Sequence, residues 1–219
     1  MKKLLLLSAV CFIATGASAI DLKPYVEGRL ANTWSQSKFA TYDGFLTASY
    51  TDHTVLGGSL AVGTQVGKFR FELEGFYNDD TTADVKDSFG RVGPVNPRPV
   101  GSQPAGDEII AKSKIESKGL FANVYYDITT INGFTPFVGA GIGYSWLKNK
   151  YQFPDGEGNF TMKDKDWGYN VGGGVSYAVN ENTAVTLAYR FENLGTLNDI
   201  ESKTKFEGYK LSLGLRYTF

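Results

Sequence analysis

Nine charged residues hold most of the chemistry this chain could do: Glu27, Arg29, Arg70, Glu72, Glu74, Arg190, Glu192, Lys210 and Arg216. Nearly all stand between apolar or glycine neighbours, so a strand would put them on one face and its apolar residues on the other. Five are cations and four are anions. Enclosed together, unpaired charges would be costly, so a near-balanced set points to a mutually paired network that fills and stiffens an interior. The other use for such a set is a charged constriction that admits small solutes. Catalysis has little to work with. The one histidine, His53, follows Asp52 and lies near Ser49 in a polar stretch, without the positioned base-and-nucleophile pair that covalent chemistry needs. No catalytic residue is assigned. Asp155-Gly156-Glu157-Gly158-Asn159 resembles a calcium loop only faintly, lacks the spacing and closing Glu, and reads as a turn. With one His and one Cys in 219 residues, no zinc site is expected either, and no cofactor is implied.

The elements that must carry these charges are strands. The clearest is the last, Glu207 to Phe219. Tyr209, Leu211, Leu213, Leu215, Tyr217 and Phe219 alternate with Gly208, Lys210, Ser212, Gly214, Arg216 and Thr218, a period of two. The apolar face runs unbroken with aromatics at both ends, as suits a tilted strand of about 9–11 residues crossing a bilayer between two aromatic belts. Seven further segments alternate in the same way: Tyr25–Trp34, Thr54–Val66, Phe69–Tyr77, Lys118–Asp127, Pro136–Leu147, Asp166–Val179 and Thr183–Glu192. Short turns fall at Gly67-Lys68, Asn132-Gly133 and Asn180-Glu181-Asn182. Long polar connections fall at Ser35–Asp52, Asn78–Ser113, around Pro154, and Asn193–Phe206. The Asn78–Ser113 stretch holds four of the seven prolines and is too broken to span anything.

This alternation of short and long connections predicts an all-β fold, an eight-stranded antiparallel up-and-down transmembrane β-barrel with both termini on the short-turn, periplasmic side. Trp34, Trp146 and Trp167 fall at the ends of strands next to long loops, where the outer interfacial belt is expected. Tyr25, Phe69, Tyr126, Tyr177, Tyr217 and Phe219 are expected at the other interface. Inward glycines at 139, 141, 143, 172 and 174 ease the curvature of a narrow barrel and leave room for Arg and Phe from opposite strands.

Composition agrees. Residues 1–19 read as a secretory signal peptide: Lys2 and Lys3, an apolar run from Leu4 to Ala14, then Ala17-Ser18-Ala19. Residues 20–219 then form the barrel domain and carry no cysteine. Removing Lys2 and Lys3 from 22 basic residues leaves 20 against 23 acidic, a net charge of −3, which argues against a nucleic-acid-binding surface. No mature segment has 18 consecutive apolar residues, so no transmembrane helix is expected. The mean hydropathy of −0.21 suits a barrel whose polar interior offsets its lipid face.

Two runs carry a family resemblance: Asn123-Val124-Tyr125-Tyr126-Asp127, and Thr135-Pro136-Phe137-Val138-Gly139-Ala140-Gly141-Ile142-Gly143-Tyr144. With Gly172-Gly173-Gly174-Val175 and the ending Tyr217-Thr218-Phe219, the chain resembles the outer-membrane β-barrel family of opacity-type porins and bacterial surface antigens. The resemblance covers the whole mature chain and specifies architecture only. It implies a place in the Gram-negative outer membrane and a closing strand recognised by the barrel-assembly machinery. It brings no shared catalytic residue. Family members serve as surface antigens, adhesins, envelope stabilisers and small porins. The expected function is therefore non-enzymatic: envelope structure and surface interaction through external loops, in a monomer surrounded by outer-membrane lipid. The alternative is a narrow porin-type channel for small solutes. Phe39, Tyr42, Phe45 and Tyr50 in the first loop would anchor a host or extracellular ligand, pack as a lid, or dip into the outer leaflet.

Overall fold

The computed structural model describes residues 21–41, 47–49, 53–86, 109–152, 160–198 and 202–219. The signal peptide, Tyr42, Phe45, Tyr50, the side chains of Phe39 and His53, the Asp155–Asn159 run and the middle of the Asn78–Ser113 segment lie outside the described residues.

Alternating sequence becomes extended ladder. The strands are β1 (Leu22–Thr41), β2 (Thr47–Ser49), β3 (His53–Val66), β4 (Phe69–Lys86), β5 (Ile109–Asp127), β6 (Phe134–Gln152), β7 (Phe160–Ala178), β8 (Thr183–Asn198) and β9 (Ser202–Thr218). All pairings are antiparallel, and β1 closes the sheet on β9 from Tyr25↔Thr218 to Thr41↔Ser202. Closure leaves no edge in the ring, which a bilayer requires because it offers no water to stray backbone groups. Eight long strands form the barrel. The three-residue β2 continues the line of β3 along β1, pairing Lys38↔Ser49 where β3 stops at Ser35↔His53.

The three short turns share one end. Gly67, at φ +57°, turns β3 into β4. Asn132 and Gly133, at φ 51° and 84°, take the left-handed pair that a tight Asn-Gly hairpin needs. At the third turn, Asn180 Oδ1 accepts the backbone N–H groups of Asn182 and Thr183 at 3.0 and 2.8 Å. The described ends of the barrel lie here too, with the Phe219 N–H donating to Pro24 O at 3.0 Å.

Parity sets the faces as the sequence implied. Leu30, Leu56, Leu60, Leu73, Val138, Ile142, Leu213 and Leu215 face outward and are exposed, while Phe76, Phe121, Tyr125 and Phe137 are buried inside. Three expectations need correction. Strands run well past the tryptophans: β1 continues from Trp34 to Thr41, β6 from Trp146 to Gln152, and β7 starts at Phe160, before Trp167. Beyond the membrane both faces are wet, so the apolar alternation fades while the backbone ladder continues. For the same reason the Asn78–Ser113 segment is partly strand, with Thr81↔Ile115 through Lys86↔Ile109 paired after a bulge. Tyr25 is not an interfacial aromatic. It shares inward parity with Glu27 and Arg29 and is 2% exposed.

Candidate functional site

The nine charges meet in the lumen, and all except Arg216 are buried. Their positions follow the pleat: Glu27 and Arg29 on β1, Arg70, Glu72 and Glu74 on β4, Arg190 and Glu192 on β8, Lys210 and Arg216 on β9. Glu72 lies at the centre of the lower half. Arg29 clasps it with both terminal nitrogens, at 2.8 and 2.6 Å. Tyr25 and Tyr125 donate their hydroxyls to it at 3.1 and 3.3 Å. Glu27 accepts Arg29 Nε at 2.9 Å and the Thr186 hydroxyl at 2.6 Å.

Glu74 is the cross-brace. It is fully buried and takes both terminal nitrogens of Arg190, at 2.7 and 2.8 Å. β4 and β8 are four places apart in the ring of eight, so this pair spans the barrel. Arg29 Nη1 approaches Glu74 at 3.3 Å, and Asn123 Nδ2 donates to it at 3.0 Å. Asn170 Nδ2 in turn donates to Asn123 Oδ1 at 2.9 Å. Farther out, Glu192 lies 3.2 Å from Arg190 and 2.7 Å from Lys210. Bidentate pairs of this kind fix geometry as well as charge.

Arg70 and Arg216 lie apart from that chain of contacts. Arg70 is held by Asp127, its Nε donating at 3.0 Å, and its guanidinium sits over the Tyr125 and Phe137 rings at 4.9 and 4.5 Å. Arg216 donates to Ser176 Oγ at 3.1 Å and lies over the Tyr25 ring at 5.5 Å. Asp127 is the residue that sequence reasoning missed. It ends β5 with the inward parity of Asn123 and Tyr125, and it brings the enclosed set to five cations and five anions. Asn123 reads as inward from its alternation with Ala122 and Val124, but its place in the charge network was not foreseen, and Asn170 was missed, being uncharged; its alternation with outward Tyr169 and Val171 was the available signal.

Little space is left among the described lumen residues. A cavity of about 10 Å³ lies among Glu27, Arg70, Tyr125 and Arg190, and one of about 30 Å³ near Thr33, Asn78, Glu192 and Phe206. A single water needs roughly 10–15 Å³ of such volume. The inward glycines explain the density. A Cβ at Gly141 would collide with Asn123, at Gly139 with Tyr125, at Gly143 with Phe121 and at Gly172 with Arg190. The residues they admit come from directly paired neighbouring strands, not from opposite ones. Among the described residues, no group of three or more His, Cys, Asp or Glu is arranged to hold a metal ion. Each lumen carboxylate faces a guanidinium, ammonium, amide or hydroxyl donor instead.

Tyr209, Leu211, Leu213, Leu215 and Tyr217 form an outward stripe on β9, which Phe219 extends just beyond the strand end, 70% exposed with its ring 5.3 Å from that of Tyr217. At the outer end, Tyr144 meets Trp146 and Trp167 edge-on at 5.4 and 5.6 Å. That cluster marks the outer belt.

The chain is 23% identical over 210 residues to the outer membrane protein PagN of Salmonella typhimurium, covering 86% of this chain and 82% of that protein. It is 28% identical over 131 residues to a putative adhesin of Rickettsia conorii. That match takes in 52% of this chain and only about half, 53%, of the adhesin. Among solved structures, OprG of Pseudomonas aeruginosa superposes with a TM-score of 0.57 at 19% identity, covering 90% of this chain and 95% of that one. Neisserial surface protein A gives 0.54 at 19% identity, with coverage of 90% and 97%. The family model described as the outer membrane protein beta-barrel domain matches residues 4–219, so the chain belongs to that family and its place is the outer membrane of a Gram-negative cell.

Proposed function

We propose that this is a non-enzymatic surface protein of the outer membrane, a rigid barrel that presents its outer rim and connecting segments to extracellular ligands. The observation that carries this reading is the filled lumen. Most of its charges are paired with one another or with Asp127, Arg216 being held by Ser176 and the Tyr25 ring instead, and the cavities of about 10 and 30 Å³ found among the described residues have room for little beyond single waters. A porin reading is disfavoured on the same ground, and among the described residues no arrangement of nucleophile and base favours catalysis. Such a barrel contributes stability and leaves interaction to the side exposed to the surroundings. The adhesin and surface-protein relatives support the same direction, over half or more of the chain. The lipid-facing stripe of β9 is the natural contact for the barrel-assembly machinery, and the closed ring suits a monomer.

The test replaces residues 87–108, between the paired ends of β4 and β5, with a short Gly/Ser linker. The variant is expected to keep its β-sheet circular dichroism and heat-dependent gel mobility while losing most binding of whole cells to host cells or matrix. Planar-bilayer recordings of the intact protein should show no steady conductance. Full retention of binding, or a stable open channel, would overturn the reading.

A further inference from the structure

The outward wall of β5, β6 and β7 changes character at Trp146. Below it, the wall is apolar. At its level and just above it, four lysines gather: Lys118, Lys148, Lys163 and Lys165. Trp146 pairs with Lys118 on one side and Lys165 on the other, and Lys148 directly faces Lys163. One step farther out, Lys150 faces Lys114. Like charges set opposite each other across a ladder are destabilising. Glu116 takes Lys148 at 3.0 Å. Among the described residues, Lys118, Lys163 and Lys165 make no ion pair. Lys118, Lys148, Lys163 and Lys165 line a groove of about 490 Å³ together with Trp146, Leu147 and the two carboxylates of Glu116 and Asp164, so cations outnumber anions there by four to two.

The position makes this more than a charged face. Trp146 and Trp167 mark the outer interface, so the lysines stand at headgroup height. Beside it, a second and larger concavity of about 1370 Å³ runs along the lipid side from β9 across β1, β3 and β4 to β5, lined by Leu30, Leu60, Leu120 and Leu213. Lys118 and Trp146 line both spaces, so the two are continuous. Outward Gly28 and Gly75 help to keep the larger one open. A Cβ there would meet nothing nearer than 3.6 and 3.5 Å, so barrel packing does not demand glycine at either place. A cationic shelf beside an apolar groove matches one kind of occupant.

We propose that this wall binds an outer-leaflet lipid with a phosphorylated headgroup and several acyl chains. Its phosphates engage Lys118, Lys148, Lys163 and Lys165, and its chains occupy the groove opened by Gly28 and Gly75.

The experiment uses the full chain reconstituted into phosphatidylcholine nanodiscs containing bisphosphorylated lipid A. After mild detergent extraction, native mass spectrometry counts the lipid A retained per barrel. Wild type should retain it. The variant Lys118→Gln/Lys148→Gln/Lys163→Gln/Lys165→Gln should retain roughly tenfold less, and the corresponding four Lys→Arg changes should preserve retention. Dephosphorylated lipid A should be retained as poorly as lipid A is by the Gln variant. Gly28→Leu/Gly75→Leu, which fills the groove and leaves the lysines, should also weaken retention. If the Gln variant does not fold, the dephosphorylated lipid and the glycine variant still decide the matter on folded protein. Equal retention of both lipids by wild type overturns the proposal. So does complete displacement by inorganic phosphate, which would mark a simple anion site. Loss of binding to a soluble sulphated polysaccharide in the Gln variant, with lipid retention unchanged, would assign the lysines to a soluble polyanion and likewise overturn it.

Discussion

Removing the Glu74 carboxylate should destabilise the barrel far more than a surface change would. Glu74 is fully buried and takes a bidentate clasp from Arg190 across the lumen, a contact from Arg29 at 3.3 Å and a hydrogen bond from Asn123. In Glu74→Leu, Arg190 keeps only Glu192 at 3.2 Å, while Arg29 still has Glu72 and Glu27. One guanidinium is thus left half-satisfied in a space too small to hydrate it, at a cost of about 3–5 kcal/mol. Replacing both ends of the brace, Glu74→Leu with Arg190→Met, removes the stranded charge and should recover about 2 kcal/mol relative to the sum of the single changes. Urea titrations of protein folded into phosphatidylcholine vesicles, followed through Trp34, Trp146 and Trp167 fluorescence, measure all three variants. A loss below about 1 kcal/mol for Glu74→Leu is what a hydrated ion pair gives. That result, or strict additivity of the two changes, would refute the dry, coupled lumen.

Other outcomes follow from the same geometry. Leu213→Arg puts a charge on the outward face near mid-height and should cost about 2–4 kcal/mol in the same titration. Gly141→Ala should cost about 1–3 kcal/mol through overpacking, because its Cβ meets Asn123 and lies 2.9 Å from Ala122 O. Gly28→Ala, whose Cβ would meet only Leu60 Cδ2 in ordinary contact at 3.6 Å, should stay within about 0.5 kcal/mol. Phe219→Ala removes one exposed aromatic and should fold normally in detergent; outer-membrane fractions from cells should contain much less of it if β9 is the assembly contact.

The faces of the strands were legible because a period of two reports them directly. Where one side meets lipid and the other a packed lumen, every position declares its side, and Glu27, Arg29, Glu72, Glu74 and Arg190 could be grouped before any contact was known. The pairing among them was not legible. Parity gives a face but not a height, so nothing in the sequence joined Arg190 to Glu74 rather than to Glu72. Tyr25 was misplaced because an aromatic at a strand end resembles an interfacial anchor, although its parity with Glu27 pointed inward. Asp127 was overlooked as the last residue before a turn. The strand extensions were hidden for a physical reason: with water on both sides, alternation is no longer selected, yet hydrogen bonding between partners continues.

Those extensions change how the protein meets its surroundings. Strands of 14–20 residues exceed the about 9–11 that crossing demands, and the tight turns leave no room for surplus at the periplasmic end. The excess therefore lies outside. From Trp34 to Thr41, at about 3.3 Å per residue and a tilt near 40°, β1 rises roughly 18 Å above the belt. There β1 is flanked by β9 up to Thr41↔Ser202, with β2 on its other side at Phe39↔Ala48. A ligand approaching the cell thus meets hydrogen-bonded strand ends before it meets the membrane. Ordering cost has already been met in the folded rim, so contacts made there lose less affinity to entropy than contacts made by unpaired chain. The lumen network supports the same end from below, since a barrel braced across its diameter holds the rim at a fixed width.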